Sequence, residues 1–215
     1  MLEVLRIENC PKLASILVIP IVRDMSIVGV HGTTVNFIFM CIRLGSWPFL
    51  VALTMESKED MAMLLLDAQQ IQSERPLEKL EYLALRGPSS LDTRSGLSRS
   101  RLMPWKCFRF VETLMIRGCN NLVRWPSDEL GCFDRLCVLR IEDCDIQEGD
   151  ISSSEGTLPL SLEELDISFC KHLVKLPWNL GNLANRISLY VGSCSALKAL
   201  PDGMCGLTSL RELMI

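Results

Sequence analysis

Apolar residues recur along this chain in a fixed cadence. An apolar position is followed by two residues, a second apolar position, one residue, a third apolar position, two residues, and then a residue that is most often cysteine. The cadence reads LEVLRIENC at Leu2–Cys10, VETLMIRGC at Val111–Cys119, LCVLRIEDC at Leu136–Cys144 and LEELDISFC at Leu162–Cys170; a weaker copy, RISLYVGSC, ends at Cys194. Residues two apart in a strand share a face, so Leu165 and Ile167 point one way and Glu164, Asp166 and Ser168 the other. One such strand cannot bury its apolar face alone. Stacked copies can, as a parallel sheet lining a curved solenoid.

Sliding this frame along the chain predicts nine strand cores: Leu2–Ile7, Val22–Ile27, Leu50–Met55, Leu80–Leu85, Val111–Ile116, Leu136–Ile141, Leu162–Ile167, Arg186–Val191 and Leu210–Ile215. The first eight are followed by a slot residue, in order Cys10, Val30, Lys58, Pro88, Cys119, Cys144, Cys170 and Cys194. Five of the eight are cysteine, against ten cysteines in 215 residues overall. This is the leucine-rich-repeat pattern. Slot-to-slot steps of 20, 28, 30, 31, 25, 26 and 24 residues make 18–106 irregular and 107–215 regular. The slot is where the chain turns inward, so Cys10, Cys119, Cys144, Cys170 and Cys194 are expected to form a structural ladder. A small side chain fits there, and its S–H can donate weakly to a backbone carbonyl.

The second half of each repeat recurs as Leu13 and Ile16, then Leu122, Trp125 and Pro126, then Leu173, Leu176 and Pro177, then Leu197, Leu200 and Pro201. The prolines suit irregular returns on the convex side, because proline lacks the N–H that a central strand uses. One return reads as a helix, capped by Ser57 with Asp60 three residues on and a stripe of Met61, Leu64, Leu65 and Ala68. Two insertions break the period and read as surface loops. Leu91–Lys106 carries Arg94, Arg99, Arg101 and Lys106; Asp145–Pro159 carries Asp145, Glu148, Asp150 and Glu155.

The expected architecture is an α/β repeat solenoid, a leucine-rich-repeat horseshoe with a parallel concave sheet and mostly irregular convex returns. Residues 1–215 form a single domain of about nine repeats, the last truncated. Solenoids need polar caps over their open ends, and neither LEVLRI nor LRELMI is one. The chain therefore reads as a piece of a longer protein.

Composition narrows the function. A net charge of −4 and a pI near 5.3 give no footprint for nucleic acid. The run Phe37–Leu44 is too short to span a membrane and is broken by Arg43. The N-terminus is already repeat sequence rather than a signal peptide. The cysteines are accounted for by the slot, and no Asn-x-Ser/Thr acceptor occurs, so reduced thiols in the cytoplasm are expected. There is no Cys-x-x-Cys pair, and only His31 and His172 could assist, so no metal is expected.

The catalytic and cofactor motifs are missing: no P-loop, no G-x-G-x-x-G, no G-x-S-x-G and no H-E-x-x-H occurs. His172 follows Cys170 closely, but the thiol is read as a buried ladder member and the imidazole as an exposed turn residue. Glu163 and Glu164 are adjacent in a strand and point to opposite faces, so they do not converge as an acid–base pair. No catalytic residue and no cofactor are assigned, and the chain is not expected to be an enzyme.

The stretches LEELDISFCKHLVKLPWNLGNL, CSALKALPDGMCGLTSLRELMI and FVETLMIRGCNNLVRWP resemble the repeat domain of plant intracellular nucleotide-binding leucine-rich-repeat disease-resistance proteins, in particular the coiled-coil class of cereals. The likeness covers Val111–Ile215 well, Leu2–Ile16 fairly and the middle loosely. It implies a protein-binding module that recognises a pathogen effector or a modified host protein, and that restrains a nucleotide-binding domain absent from this chain. The alternative is a repeat adaptor, such as the substrate-receptor arm of a ubiquitin ligase or a signalling scaffold.

Either function needs a surface. The exposed strand positions of the central row are Arg6, Ser26, Thr54, Ala84, Met115, Arg140, Asp166, Tyr190 and Met214. The neighbouring row is expected to bring Arg86 and Arg117 near Arg140, followed by Glu142, Glu164 and Asp166, as a basic patch beside an acidic one. The candidate protein-binding residues are Arg6, Arg86, Met115, Arg117, Arg140, Glu142, Glu164, Asp166 and Tyr190.

Overall fold

A computed structural model describes residues 2–30, 32–56, 77–87, 104–120, 122, 124–146, 157–183, 187–202, 204, 207–208 and 210–215. Nine strands run through them: β1 (Val4–Glu8), β2 (Asp24–Val28), β3 (Ala52–Glu56), β4 (Tyr82–Arg86), β5 (Thr113–Arg117), β6 (Val138–Glu142), β7 (Glu164–Ser168), β8 (Ile187–Gly192) and β9 (Leu210–Met214). They form one sheet in the order β1 to β9, each parallel to the next. Each strand pairs in parallel with the next one in the chain, so the molecule is a repeat fold of the solenoid type.

All nine expected strand cores form. In β1 to β7 the strand begins two residues after the leading apolar position. In β2 to β5 and β7 that position closes a turn instead, as where Val22 N–H reaches Ile19 O at 3.2 Å, Leu50 reaches Trp47 O at 3.2 Å, and Leu162 reaches Pro159 O at 3.2 Å. The two inward residues of each strand are buried from β2 to β8, from Met25 and Ile27 through Leu165 and Ile167 to Leu189 and Val191. The outer strands differ. Leu2 and Val4 at the start of β1, and Leu213, Met214 and Ile215 at β9, are exposed apolar residues. The β8–β9 pairing also slips by one residue after Ile187.

The turn inward has its own signature. The residue before the slot adopts a left-handed backbone at Asn9 (φ 52°), Gly29 (63°), Gly87 (100°), Gly118 (67°), Asp143 (52°), Phe169 (58°) and Ser193 (56°). Glycine, asparagine and aspartate tolerate this region best. Phe169, half exposed, is the unusual occupant. After the slot the returns close alike, with Leu122 N–H on Cys119 O, Leu173 on Cys170 O and Leu197 on Cys194 O at 3.1–3.3 Å.

The returns are less uniformly irregular than expected. Helix α1 spans Gly32–Arg43 and buries Thr34, Val35, Ile38, Cys41 and Ile42, a helical spacing on one face. That spacing was visible in the sequence; its β-branched and aromatic content disguised it, and packing overrode propensity. A short helix, α2, spans Ser127–Leu130, and 3₁₀ turns span Pro104–Phe108 and Trp178–Asn182. The helix expected over Ser57–Ala68 lies outside the described residues, as do slots Lys58 and Pro88.

The insertions need correcting at their ends. Trp105 is buried, with its ring 6.3 Å from Phe108 and 6.2 Å from Phe133. Ile146 and Leu158 are buried too, and Asn179 brackets Leu158 with hydrogen bonds of 2.9 Å to its N–H and its carbonyl. Both insertions are thus stapled to the core where they rejoin the repeats. Arg94, Arg99, Arg101, Glu148, Asp150 and Glu155 lie outside the described residues. Among the described residues no helix is long and apolar enough to cross a membrane.

Candidate functional site

Strand alternation leaves one face of the sheet open, and the pairing register sets its rows. The central row runs Arg6, Ser26, Thr54, Ala84, Met115, Arg140, Asp166, Tyr190, Met214, each residue paired with the next across neighbouring strands. One flanking row holds Arg86, Arg117, Glu142, Ser168 and Gly192. The other holds Glu164, Ser188 and Glu212. Seven of the nine candidate residues therefore cluster on β4 to β7; Arg6 stands far along the sheet on β1, and Tyr190 on β8.

Arg6, Arg117, Arg140 and Tyr190 are exposed, while Arg86, Met115, Glu142, Glu164 and Asp166 are half-buried. Ala84 departs from expectation: it is fully buried. Its methyl group is shorter than its neighbours, and the Tyr82 hydroxyl reaches the Met115 sulfur at 3.8 Å across the adjoining strand.

The expected basic patch beside an acidic one resolves into pairs. Arg140 donates from Nε and Nη2 to Glu164 Oε1 at 3.0 and 2.7 Å, and Arg117 Nη2 lies 3.4 Å from Glu142 Oε1. The parallel register puts Arg117 directly opposite Glu142, and Arg140 one row from Glu164, so charges that are distant in sequence neutralise each other. The Glu164 hydrogen bond holds the Arg140 guanidinium above its ordinary range. Burial pushes the Asp166 carboxyl up, opposed by Arg140 and a hydrogen bond from Ser168. Asp166 Oδ1 is buried and meets no hydrogen-bond donor among the described residues.

Beyond these pairs the face sinks into a cleft of about 230 Å³, lined by Glu164, Asp166, Ser188, Leu189, Tyr190, Glu212 and Met214. Sequence reasoning reached Glu164, Asp166 and Tyr190 but not Ser188 or Glu212, which lie in the flanking row. Gly192 helps shape the neighbourhood. A Cβ there would meet the Tyr190 hydroxyl at 2.7 Å and its ring at 2.9 Å, so the phenol lies across the bare glycine.

Beneath the end of the strands runs the cysteine ladder. Cys119, Cys144 and Cys170 are buried and unbridged. Each later thiol donates weakly to the strand before it: Cys144 to Ile116 O at 3.8 Å, Cys170 to Ile141 O at 3.9 Å, Cys194 to Ile167 O at 3.8 Å. The adjacent Cys119 thiol and burial together push the Cys144 thiol far up, and burial pushes Cys170 up to about 12. Two members depart from expectation. Cys10 is exposed and Cys194 half-buried. They occupy the first and last slots: Cys10 is next in the frame to Val30 rather than to another cysteine, and Cys194 follows Cys170 with no slot residue beyond it. His172 is exposed, with Nε2 3.6 Å from Asp145 Oδ1.

These features define a parallel-sheet repeat fold with one open, ion-paired face. No family model matches the chain. Over 106 residues, 49% of its length, the chain is 31% identical to Protein SUPPRESSOR OF npr1-1, CONSTITUTIVE 1 of Arabidopsis thaliana. The chain spans 6% of the length of that protein.

Proposed function

We propose that this chain is the protein-binding leucine-rich-repeat module of a cytoplasmic plant immune receptor, and that the open face of its sheet is the concave recognition surface. In this reading the partner is a pathogen effector or a modified host protein, and the module also restrains a nucleotide-binding domain elsewhere in the receptor. The carrying observation is the open face itself: Arg117, Arg140, Glu142 and Glu164 are held in ion pairs on a rigid parallel ladder, beside the exposed side chains of Tyr190 and Met214. Preorganised charge of this kind favours specificity and on-rate more than raw affinity. The repeat cadence and the partial similarity to the Arabidopsis protein support the same reading.

The test is charge reversal on the face in a full-length receptor that contains this chain, scored by effector-dependent cell death in leaf tissue. Arg140→Glu, Arg117→Glu and Asp166→Lys are expected to abolish or derepress the response, at about 2–5 kcal/mol of binding for a desolvated pair. Protein level and melting temperature should stay close to those of the parent, and Lys171→Glu on an exposed turn should change nothing. If all three face variants signal normally, the open face is not the working surface.

A further inference from the structure

The open face carries a concavity lined by three carboxylates, of which one is ion-paired. Glu164 is engaged by Arg140, but among the described residues neither Asp166 nor Glu212, on the same cleft, has an ion-pair partner within 4 Å. The cleft also holds a phenol ring at Tyr190, a thioether at Met214 and an apolar floor at Leu189. Ser188 stands between Glu164 and Glu212 in the register, on the strand between theirs. With neighbouring strands about 4.8 Å apart, the two glutamates are rooted about 10 Å from each other.

From this lining we infer that the β7–β9 cleft takes the guanidinium side chain of one arginine presented by a protein partner. The inference rests on the open face being the binding surface and names what that surface recognises there. Charge complementarity selects a cation, because Asp166 and Glu212 face the same hollow with neither closed in an ion pair; Arg140, which acts on Asp166 from the neighbouring strand, is hydrogen-bonded to Glu164. Shape selects arginine. A planar guanidinium can stack on the Tyr190 ring while its N–H fork meets carboxylates on either side. Its three-carbon stem can lie along Met214 and Leu189. Gly192 contributes by its missing side chain, since the space it leaves is where the Tyr190 ring rests.

The test titrates the full 215-residue chain with N-acetyl-arginine methylamide, following backbone and methyl NMR shifts; N-acetyl-citrulline methylamide, neutral and nearly isosteric, is the control. The arginine probe is expected to shift Glu164–Asp166, Ser188–Tyr190 and Glu212–Met214 selectively. The citrulline probe should not shift them, and Asp166→Asn with Glu212→Gln should weaken the effect at least about tenfold. Should that double variant fold poorly, Ser188→Arg is the second arm, because it plants a tethered guanidinium between Glu164 and Glu212 and should block the titration. An arginine effect spread over all surface carboxylates, an equal response to citrulline, or undiminished binding in Ser188→Arg would overturn the inference. None of these outcomes depends on the charge-reversal experiment. A receptor indifferent to Arg140→Glu, Arg117→Glu and Asp166→Lys would sink the recognition surface while leaving the titration as measured.

Discussion

Replacing a slot thiol by a carboxylate should unfold this repeat stack in proportion to the depth of the slot. Cys170 has no exposed surface; its sulfur lies 3.5 Å from Ser168 O and 3.9 Å from Ile141 O. Cys170→Asp keeps the size nearly constant and puts an ionisable group among carbonyl oxygens, which cannot stabilise a carboxylate. The carboxyl therefore folds in protonated. Protonating a group with an ordinary value near 3.9 costs about 1.4 kcal/mol per pH unit, or about 4 kcal/mol at pH 7. That is a large part of the roughly 5–15 kcal/mol that holds a domain together. Because the folded value is raised above the unfolded one, the loss grows as pH rises, by about 2.7 kcal/mol between pH 5 and pH 7. Cys10 supplies the control. It occupies the same repeat position but is exposed, so Cys10→Asp should stay within about 0.5 kcal/mol of the parent at either pH. Urea unfolding of the full chain, followed by tryptophan fluorescence and far-UV circular dichroism at pH 5, 6 and 7, measures both. Equal costs at the two positions, or a cost at Cys170 that does not change with pH, would refute the ladder as a buried element.

Other consequences are simpler to measure. Cys10 should react with a thiol reagent at once, whereas Cys119, Cys144 and Cys170 should react only at the rate of unfolding; stopped-flow labelling with mass-spectrometric site assignment distinguishes them. The raised values of Cys144, Cys170 and Cys194 favour the protonated thiols of the native state. Their contribution is therefore complete below the ordinary thiol value of 9.0 and is lost above it, for Cys170 up to about 12. Stability should fall between pH 9 and pH 10 by about 1 kcal/mol for each of Cys144 and Cys170, and urea melts of Cys144→Ala with Cys170→Ala should show a shallower fall. Gly118→Ala forces a side chain into a left-handed backbone at φ 67° and should cost about 1–2 kcal/mol. Gly131→Ala, at φ −65° with its nearest atoms 3.4 Å away, should be neutral to slightly stabilising by thermal melts.

The sequence determined by itself whatever depends on period. A two-residue alternation closed by a small slot residue has one way to bury its apolar side, so the nine strands, their parallel order and the central row from Arg6 to Met214 were legible before any coordinates. Local backbone demand was legible too, in the Asn, Gly, Asp and Ser that precede the slots, although the cadence drew the eye to the cysteines instead. Tertiary structure decided what depends on contacts between one repeat and the next. Helix α1 forms because Val35, Ile38 and Ile42 find the core, against a composition that favours strand. Asn179 reaches Leu158 across an insertion that no periodic frame predicts. The arginines and glutamates read as two opposed patches along the chain, yet Arg140 finds Glu164 and Arg117 finds Glu142 only once β5, β6 and β7 lie side by side. The same stacking sealed Ala84 under longer neighbours and left Cys10 uncovered. It also left Asp166 and Glu212 on one hollow with no ion-pair partner within 4 Å among the described residues, because burial and pairing belong to the assembled sheet and not to any single repeat.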